Sequence, residues 1–144
     1  MKPVRVIAAL ALAFLSFSAI WGANLLLEDP SGGRIHLPVS VLEHSPFHSF
    51  LIPGIVLLVA NGLLPLGFTA AMAFRRRGYG LWIAFQGCVL FGWITVEVIM
   101  LRSVVWLHYL YWALACLLVG CGWAMHREEK RARSGEARKA AITV

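Results

Sequence analysis

The sequence predicts an all-α membrane protein, an antiparallel bundle of four transmembrane helices with both termini in the cytoplasm. Three observations support this prediction: an apolar composition, four long uncharged stretches, and basic residues placed outside those stretches. Hydrophobic residues make up 60% of the 144 residues and charged residues only 14%, whereas globular chains average about half apolar and a quarter charged. A soluble domain of this size could not bury so much apolar surface.

Four stretches are long enough to cross a bilayer as helices, which takes roughly 20 apolar residues. They cover residues 5–27, 48–74, 79–101 and 104–125. The first stretch also invites interpretation as a signal peptide, but it is longer than usual, and cleavage would place Trp21 where a small side chain is required. We therefore expect a retained helix, and residues 1–126 form the predicted four-span membrane domain.

The positions of lysine and arginine predict the orientation. One side of the membrane would hold eleven of them (2 + 3 + 6), namely Lys2 and Arg5, Arg75 to Arg77, and six in the tail 127–144. The other side would hold only Arg34 and Arg102. Since basic segments stay in the cytoplasm, we expect a basic cytoplasmic tail at 127–144 and an extracytoplasmic loop at 28–47. The tail should continue the fourth helix and become disordered toward its end.

The expected location is the bacterial inner membrane, as a multi-pass protein. The net charge of +6 accounts for orientation and forms no continuous basic face, so no nucleic-acid partner is predicted. The expected partners are the lipid bilayer and, through helix faces, other membrane proteins or further copies of this chain.

The connections contain signals for helix starts. Ser45 and Pro46 suit the N-cap and first position of the second helix, and Ser103 suits the N-cap of the fourth. Within the loop, the sequence LPVSVLEH could form a short interfacial helix that begins at Pro38. Prolines inside the second span should bend it, and these are Pro53 and Pro65.

Small residues recur at four-residue spacing and predict close packing between helices. The third span carries Gly80, Ala84, Cys88 and Gly92, and the fourth carries Cys116, Gly120 and Ala124. The first carries the pairs Ala9/Ala13, Ser18/Gly22 and Ala19/Ala23. A spare small face could join two copies. The cysteines lack metal or disulfide spacing, although a redox pair between Cys88 and Cys116 is an alternative to plain packing.

The segment TVEVIMLRSVVWLHY, residues 95–109, places an acid and an imidazole in apolar surroundings. Glu97 and His108 flank the expected turn at similar spacing, so each should lie roughly 7–8 Å below the end of its helix. Asn24 and His48 of other spans should fall near that level. Trp93 shares the helix face of Glu97, and Tyr111 should lie near the outer membrane interface. The candidate ligand-binding residues are Glu97, His108, His48, Asn24, Trp93 and Tyr111.

Two interpretations of Glu97 and His108 remain open. Ionisable groups in a membrane usually face the bundle interior or a wet cavity, which favours a small site for proton exchange or ligand binding. Alternatively, Glu97 simply pairs with His108 or reaches toward Arg102 to complete the bundle. Neither interpretation assigns a catalytic residue.

A metal site is not predicted. His44 and His48 have the spacing of two helical ligands, but the expected helix start at Ser45 and Pro46 lies between them. They are therefore weak metal candidates, because a site needs at least three converging ligands. The sequence specifies no cofactor, whether metal or haem.

The stretch LPVSVLEHSPFHSFLIPG, residues 37–54, resembles a segment of small, uncharacterised bacterial four-helix integral membrane proteins. In these proteins Ser-Pro-Phe and then Ile-Pro-Gly open the second span. The resemblance covers less than a fifth of the chain. It implies a four-span inner-membrane protein and brings neither an activity nor functional residues.

The favoured function is that of a small non-enzymatic membrane protein, either an accessory subunit or a binder of a lipid or lipophilic ligand near the outer leaflet. One alternative is a small proton-coupled transporter that uses Glu97 and His108. The other is a membrane enzyme acting on a lipid or quinone, with His108 as base and Glu97 orienting it.

Overall fold

The computed structural model describes residues 2–142, which are helical apart from short connections and contain no β-strand. Four long helices follow in order: α1 (Lys2–Glu28), α2 (Leu51–Ala73), α3 (Tyr79–Leu101) and α4 (Trp106–Ile142). All four contain stretches long and apolar enough to cross a membrane. This confirms the predicted all-α class with four membrane-length helices. Residues 1, 143 and 144, including the end of the predicted tail, lie outside the described residues.

Helices α3 and α4 pack closely and antiparallel. A Cβ atom on Gly80 would lie 2.6 Å from the backbone nitrogen of His126, and one on Gly87 would lie 2.7 Å from the carbonyl oxygen of Ala115. Residue numbers therefore rise along α3 as they fall along α4. Because no side chain fits at either glycine, the two backbones are nearly in contact.

The predicted stripe of small residues is only half right. Gly80 and Ala84 do meet α4, but Cys88 is exposed and a Cβ atom on Gly92 would meet nothing within 4 Å. On α4 the close approach occurs at Ala115 and Gly122, whereas Gly120 faces open space. The reason is geometric: residues four apart are 40° out of register on a helix of 3.6 residues per turn, so the contact passes from Ala84 to Gly87.

Helices α1 and α2 are also antiparallel. A Cβ atom on Gly54 would lie 3.0 Å from Leu26, and one on Gly62 would lie 2.9 Å from Ile20. The bundle therefore has two ends. The loop end contains residues 29–50 and 102–105, and the tail end contains the start of α1 and residues 74–78.

Helix α2 does not begin at Pro46, so the predicted cap was wrong. The Ser45 hydroxyl donates to the carbonyl of Leu42 at 2.9 Å and accepts from the N–H of Phe47 at 3.2 Å, which closes a local turn. The helix starts only at Leu51. Before it, Phe50 is buried in a small cluster with Leu26 and Leu42, and this packing holds the intervening loop against the bundle.

The loop between α1 and α2 contains two short 3₁₀ helices, Gly33–Ile35 and Val39–Leu42. The second follows Pro38 as predicted, but it is a single turn. The first depends on Gly32, which has φ of 78° and where a Cβ atom would lie 2.1 Å from the carbonyl oxygen of Leu37. Asp29 accepts hydrogen bonds from Ser31 and from the N–H of Arg34. The Ser31 hydroxyl bond lowers the pKa of Asp29 below its ordinary 3.8.

Helix α2 changes geometry in its middle, where Leu58–Leu63 form a π-helix. Pro65 has no N–H to donate to the carbonyl of Ala60, five residues earlier in this wider turn. That carbonyl instead accepts from Nε2 of Gln86 on α3 at 3.1 Å. The disturbance expected at Pro65 therefore takes the form of a π segment, whereas Pro53 lies in the first turn, where no N–H is required.

The tail end is held by polar contacts that the sequence did not reveal. The Glu129 carboxylate of α4 accepts from the N–H groups of Gly78 and Gly80, at 3.1 and 3.4 Å, and so caps the start of α3. Nε of Arg5 donates to the Tyr79 hydroxyl at 3.0 Å and ties α1 to the same place. Beyond Glu129, α4 continues without interruption to Ile142, so the expected disorder is not found in the described part of the tail.

Candidate functional site

A cavity of about 490 Å³ lies between the helices in the loop half of the bundle. All four helices line it, and the loop adds Leu37 and Val41. Its walls are mainly apolar, with a few polar or aromatic groups: Ser18, Asn61, Trp93, Glu97, Ser103, His108 and Tyr111. Sites for small molecules usually have volumes of about 300–1,000 Å³ and this mixture of apolar walls and few polar groups.

The cavity extends from the loop end to the middle of the helices. His108 lies two residues into α4, about 3 Å from its start, and Asn61 lies ten residues into α2, about 15 Å from its start. The deepest lining residues are Leu15, Asn61 and Leu90. Since a hydrocarbon layer is about 30 Å thick, the cavity spans about half of that thickness.

Small residues on α1 make room for the cavity. Ser18, Ala19 and Gly22 belong to its lining. They were predicted to bring helices together, yet a Cβ atom on Gly22 would meet only the side chain of Leu57, at an ordinary 3.6 Å. Because these side chains are small, they leave space for the cavity and do not bring two helices into close contact.

His108 has a structural task as well as a place in the lining. It is 5% exposed, and its Nδ1 accepts a hydrogen bond from the N–H of Val105 at 3.0 Å. This contact satisfies one of the free N–H groups at the start of α4, as the third residue of a capping box does. Ser103 was therefore wrongly predicted as the cap. Helix α3 ends at Leu101, the next residue, Arg102, has φ of 48°, and residues 103–105 complete the turn before α4 begins.

Glu97 lies half-buried between two spaces. It lines the main cavity and also an adjoining pocket of about 70 Å³ beneath the loop, beside Leu42 and Phe50. Within residues 2–142 its carboxylate has no hydrogen bond and no ion pair within 4.0 Å. The pairing considered with His108 or Arg102 is thus not present, although Glu97 and His108 line the same cavity.

The remaining predicted site residues divide into two groups. Trp93 and Tyr111 line the cavity, and the Tyr111 ring stacks on Phe14 of α1 with centroids 6.3 Å apart. Asn24 and His48 are exposed and lie outside the lining. His48 was expected at the head of the second helix, but α2 begins three residues later, so His48 belongs to the loop.

Asn61 is the lining residue that sequence reasoning missed. It is 0% exposed, and its Oδ1 accepts from Nε2 of Gln86 at 3.3 Å. Packing of α2 against α3 places these two residues opposite each other. In the described structure Nδ2 of Asn61 and Oε1 of Gln86 have no hydrogen-bond partner. The available sequence signal was Asn61 itself, a polar residue near the middle of an apolar span.

The histidines of the loop do not form a metal-binding group. Across the described residues, no three side chains of His, Cys, Asp or Glu converge as metal ligands would. His44 and His48 are both exposed. Cys88 and Cys116 are free thiols on the bundle surface.

Comparison with known proteins gives no further assignment. No known family model matches the chain, and no curated protein or solved structure is significantly similar to it. The resemblance of residues 37–54 to small four-helix membrane proteins therefore stays a prediction, and the function has to be inferred from the geometry of the cavity.

Proposed function

We propose that this chain is a multi-pass protein of the bacterial inner membrane that binds a lipophilic small molecule without transforming it. The observation that carries the proposal is the cavity of about 490 Å³, which combines apolar walls with a carboxylate, Glu97, that no protein group engages within the described residues. An apolar pocket with few polar groups is the usual form of a small-molecule site.

The shape of the cavity favours binding over transport. Its lining ends near mid-helix, at Leu15, Asn61 and Leu90. Below that level the core is filled by buried side chains such as Leu12, Ile83 and Met125. A ligand could therefore enter and leave only through the loop half of the bundle.

The geometry at His108 favours binding over catalysis. A general base must be free to accept a proton from its substrate, but Nδ1 of His108 already accepts the N–H of Val105. Glu97 makes no hydrogen bond to His108 within the described structure, so it does not orient the imidazole as the enzyme hypothesis requires.

The proposed orientation rests on charge. Eleven basic residues (2 + 3 + 6) belong to the tail end and the tail, against two, Arg34 and Arg102, at the loop end. With basic segments in the cytoplasm, the cavity belongs to the outer half of the membrane. Fusions of a fluorescent protein and of alkaline phosphatase after residue 144 test this: fluorescence without phosphatase activity is expected, and the reverse result would refute the orientation.

Ligand binding is tested by extracting the protein from its native membrane in polymer-bounded discs and identifying co-purifying molecules by mass spectrometry. Ala19 lines the cavity and is 5% exposed, so Ala19→Phe should fill the cavity and displace the ligand. Ala13 lies on the exposed face of α1, and Ala13→Phe is the matched control that should retain it. A wild-type protein with no enriched molecule, or equal retention by both variants, would count against the proposal.

A further inference from the structure

We propose that the lipophile in this cavity is an organic cation, an amine or quaternary ammonium with an apolar body, and that Glu97 is its counter-ion. This inference rests on the proposed function and names the chemical class of the ligand. It follows from the juxtaposition of one unpaired carboxylate, two aromatic rings and a mainly apolar wall with no positively charged group in one cavity.

The first step concerns the charge on Glu97. A carboxyl group removed from water is costly to keep ionised unless a positive group or several hydrogen bonds compensate the charge, and otherwise it takes up a proton. Within residues 2–142 no side chain supplies either, and Arg102, which is exposed just beyond α3, forms no ion pair with Glu97 within 4.0 Å. A positive charge brought by the ligand would complete this site.

The second step concerns His108, the basic group in the lining. Because its Nδ1 accepts an N–H from the backbone, that nitrogen carries a lone pair and the ring proton is on Nε2, so the imidazole is neutral. His108 therefore does not act as the counter-charge of Glu97. The other titratable group in the lining is the Tyr111 phenol, which supplies no positive charge, and the lining residues of α1, α2 and the loop are uncharged.

The third step concerns the aromatic walls. Trp93 lies four residues before Glu97 on α3, so the indole and the carboxylate share one helix face. Tyr111 reaches the same cavity from α4 and is held in place by stacking on Phe14. Aromatic faces attract cations within about 6 Å, and more strongly where water is excluded. Rings beside a single carboxylate select for a positive head group.

The fourth step concerns size. A volume of about 490 Å³ lies within the roughly 300–1,000 Å³ that small-molecule sites have. This space admits a ring or a short chain with its amine. The leucines and Ile94 of the lining would contact the apolar body, while an anionic or neutral head group would leave Glu97 without compensation.

A pair of isosteric probes tests the inference. Benzyltrimethylammonium and neopentylbenzene have the same shape and differ by a positively charged nitrogen in place of a carbon. Each is titrated by equilibrium dialysis into wild type, Glu97→Gln and Ala19→Phe, all in discs of zwitterionic lipid, with empty discs subtracted. Thermal unfolding of each variant verifies that it is folded.

We expect Glu97→Gln to weaken binding of the cation at least tenfold and to change binding of the neutral probe less than twofold. Unchanged cation binding in this variant, or equal weakening for both probes, would overturn the inference about charge. Ala19→Phe should abolish binding of both probes. If it abolishes neither, or if wild type binds neither, the proposed function itself fails. If wild type binds only the neutral probe, the cavity binds lipophiles but the cation inference is wrong.

Discussion

Nδ1 of His108 accepts a hydrogen bond from the N–H of Val105 at 3.0 Å, so the buried imidazole caps the helix to which it belongs. Glutamine is a usual residue at this third helical position in a capping box. We therefore expect His108→Gln to retain the stability of the wild type and His108→Leu to lose about 1 kcal/mol. Denaturant unfolding in mixed micelles measures this difference, and equal stability of the two variants would contradict a capping role.

Removing one partner of the buried hydrogen bond between Gln86 and Asn61 should destabilise the protein more than removing both partners. Gln86→Met leaves Asn61 buried without its partner, and we expect a loss of about 1 kcal/mol, near the upper range for hydrogen bonds within membranes. The double variant Gln86→Met/Asn61→Leu removes both side-chain partners and should recover part of that loss, because the carbonyl of Ala60 still lacks the Gln86 donor. Free energies of unfolding from a double-mutant cycle test this, and strictly additive losses would disprove the coupling.

The close approach of α3 to α4 should make two glycines on the same helix respond differently to alanine. At Gly87 the added carbon would lie 2.7 Å from the Ala115 carbonyl oxygen, whereas at Gly92 it would meet nothing within 4 Å. We expect Gly87→Ala to destabilise the bundle by about 1–3 kcal/mol. Gly92→Ala should be neutral or stabilising by up to about 1 kcal/mol. Thermal unfolding distinguishes them, and a reversed order would mean that the helices pack differently.

The loop should show an acid-dependent change centred on Asp29. Its pKa lies below 3.8 because the Ser31 hydroxyl stabilises the carboxylate. A lowered folded-state pKa contributes order that is fully present above pH 3.8 and is lost as the pH falls through the lowered value. NMR titration of the Asp29 carboxyl carbon should show an upward shift of the midpoint in Ser31→Ala and no shift in Ser40→Ala, whose side chain is exposed. No shift in either variant would exclude the Ser31 contribution.

The four membrane-length helices could be predicted from the sequence because a lipid bilayer restricts the structures that can cross it. A span of about 20 apolar residues has few alternatives to a helix, and so the four helices were found. Helix starts were less readable. Ser45 has the side chain of an N-cap, but its hydroxyl closes the turn after Leu42, a choice determined by the burial of Phe50 against α1.

Part of the site was also predicted, because the depth of a residue in a membrane helix can be counted from the sequence. Counting residues placed Glu97 and His108 near one level, and both line the cavity together with Trp93 and Tyr111. Asn24 and His48 were expected near the same level, but they lie outside the lining. Counting could not reveal that the small residues of α1 leave space, or that Asn61 forms the floor. Both depend on how the faces of different helices meet, and a helix-by-helix pattern does not contain that information. The bond between Glu129 and the start of α3 joins residues 51 positions apart and was unreadable for this reason too.

Helix α4 continues for 37 residues from the cavity to Ile142, about 55 Å at 1.5 Å per residue. Roughly 25 Å of the helix must therefore extend beyond a hydrocarbon layer about 30 Å thick. The hydrogen bonds from Gly78 and Gly80 to Glu129 attach α4 to α3 at this point. The part of α4 beyond Glu129 would pivot about this attachment. A tilt of about ten degrees there would displace its far end by about 3–4 Å, given a lever arm of about 20 Å.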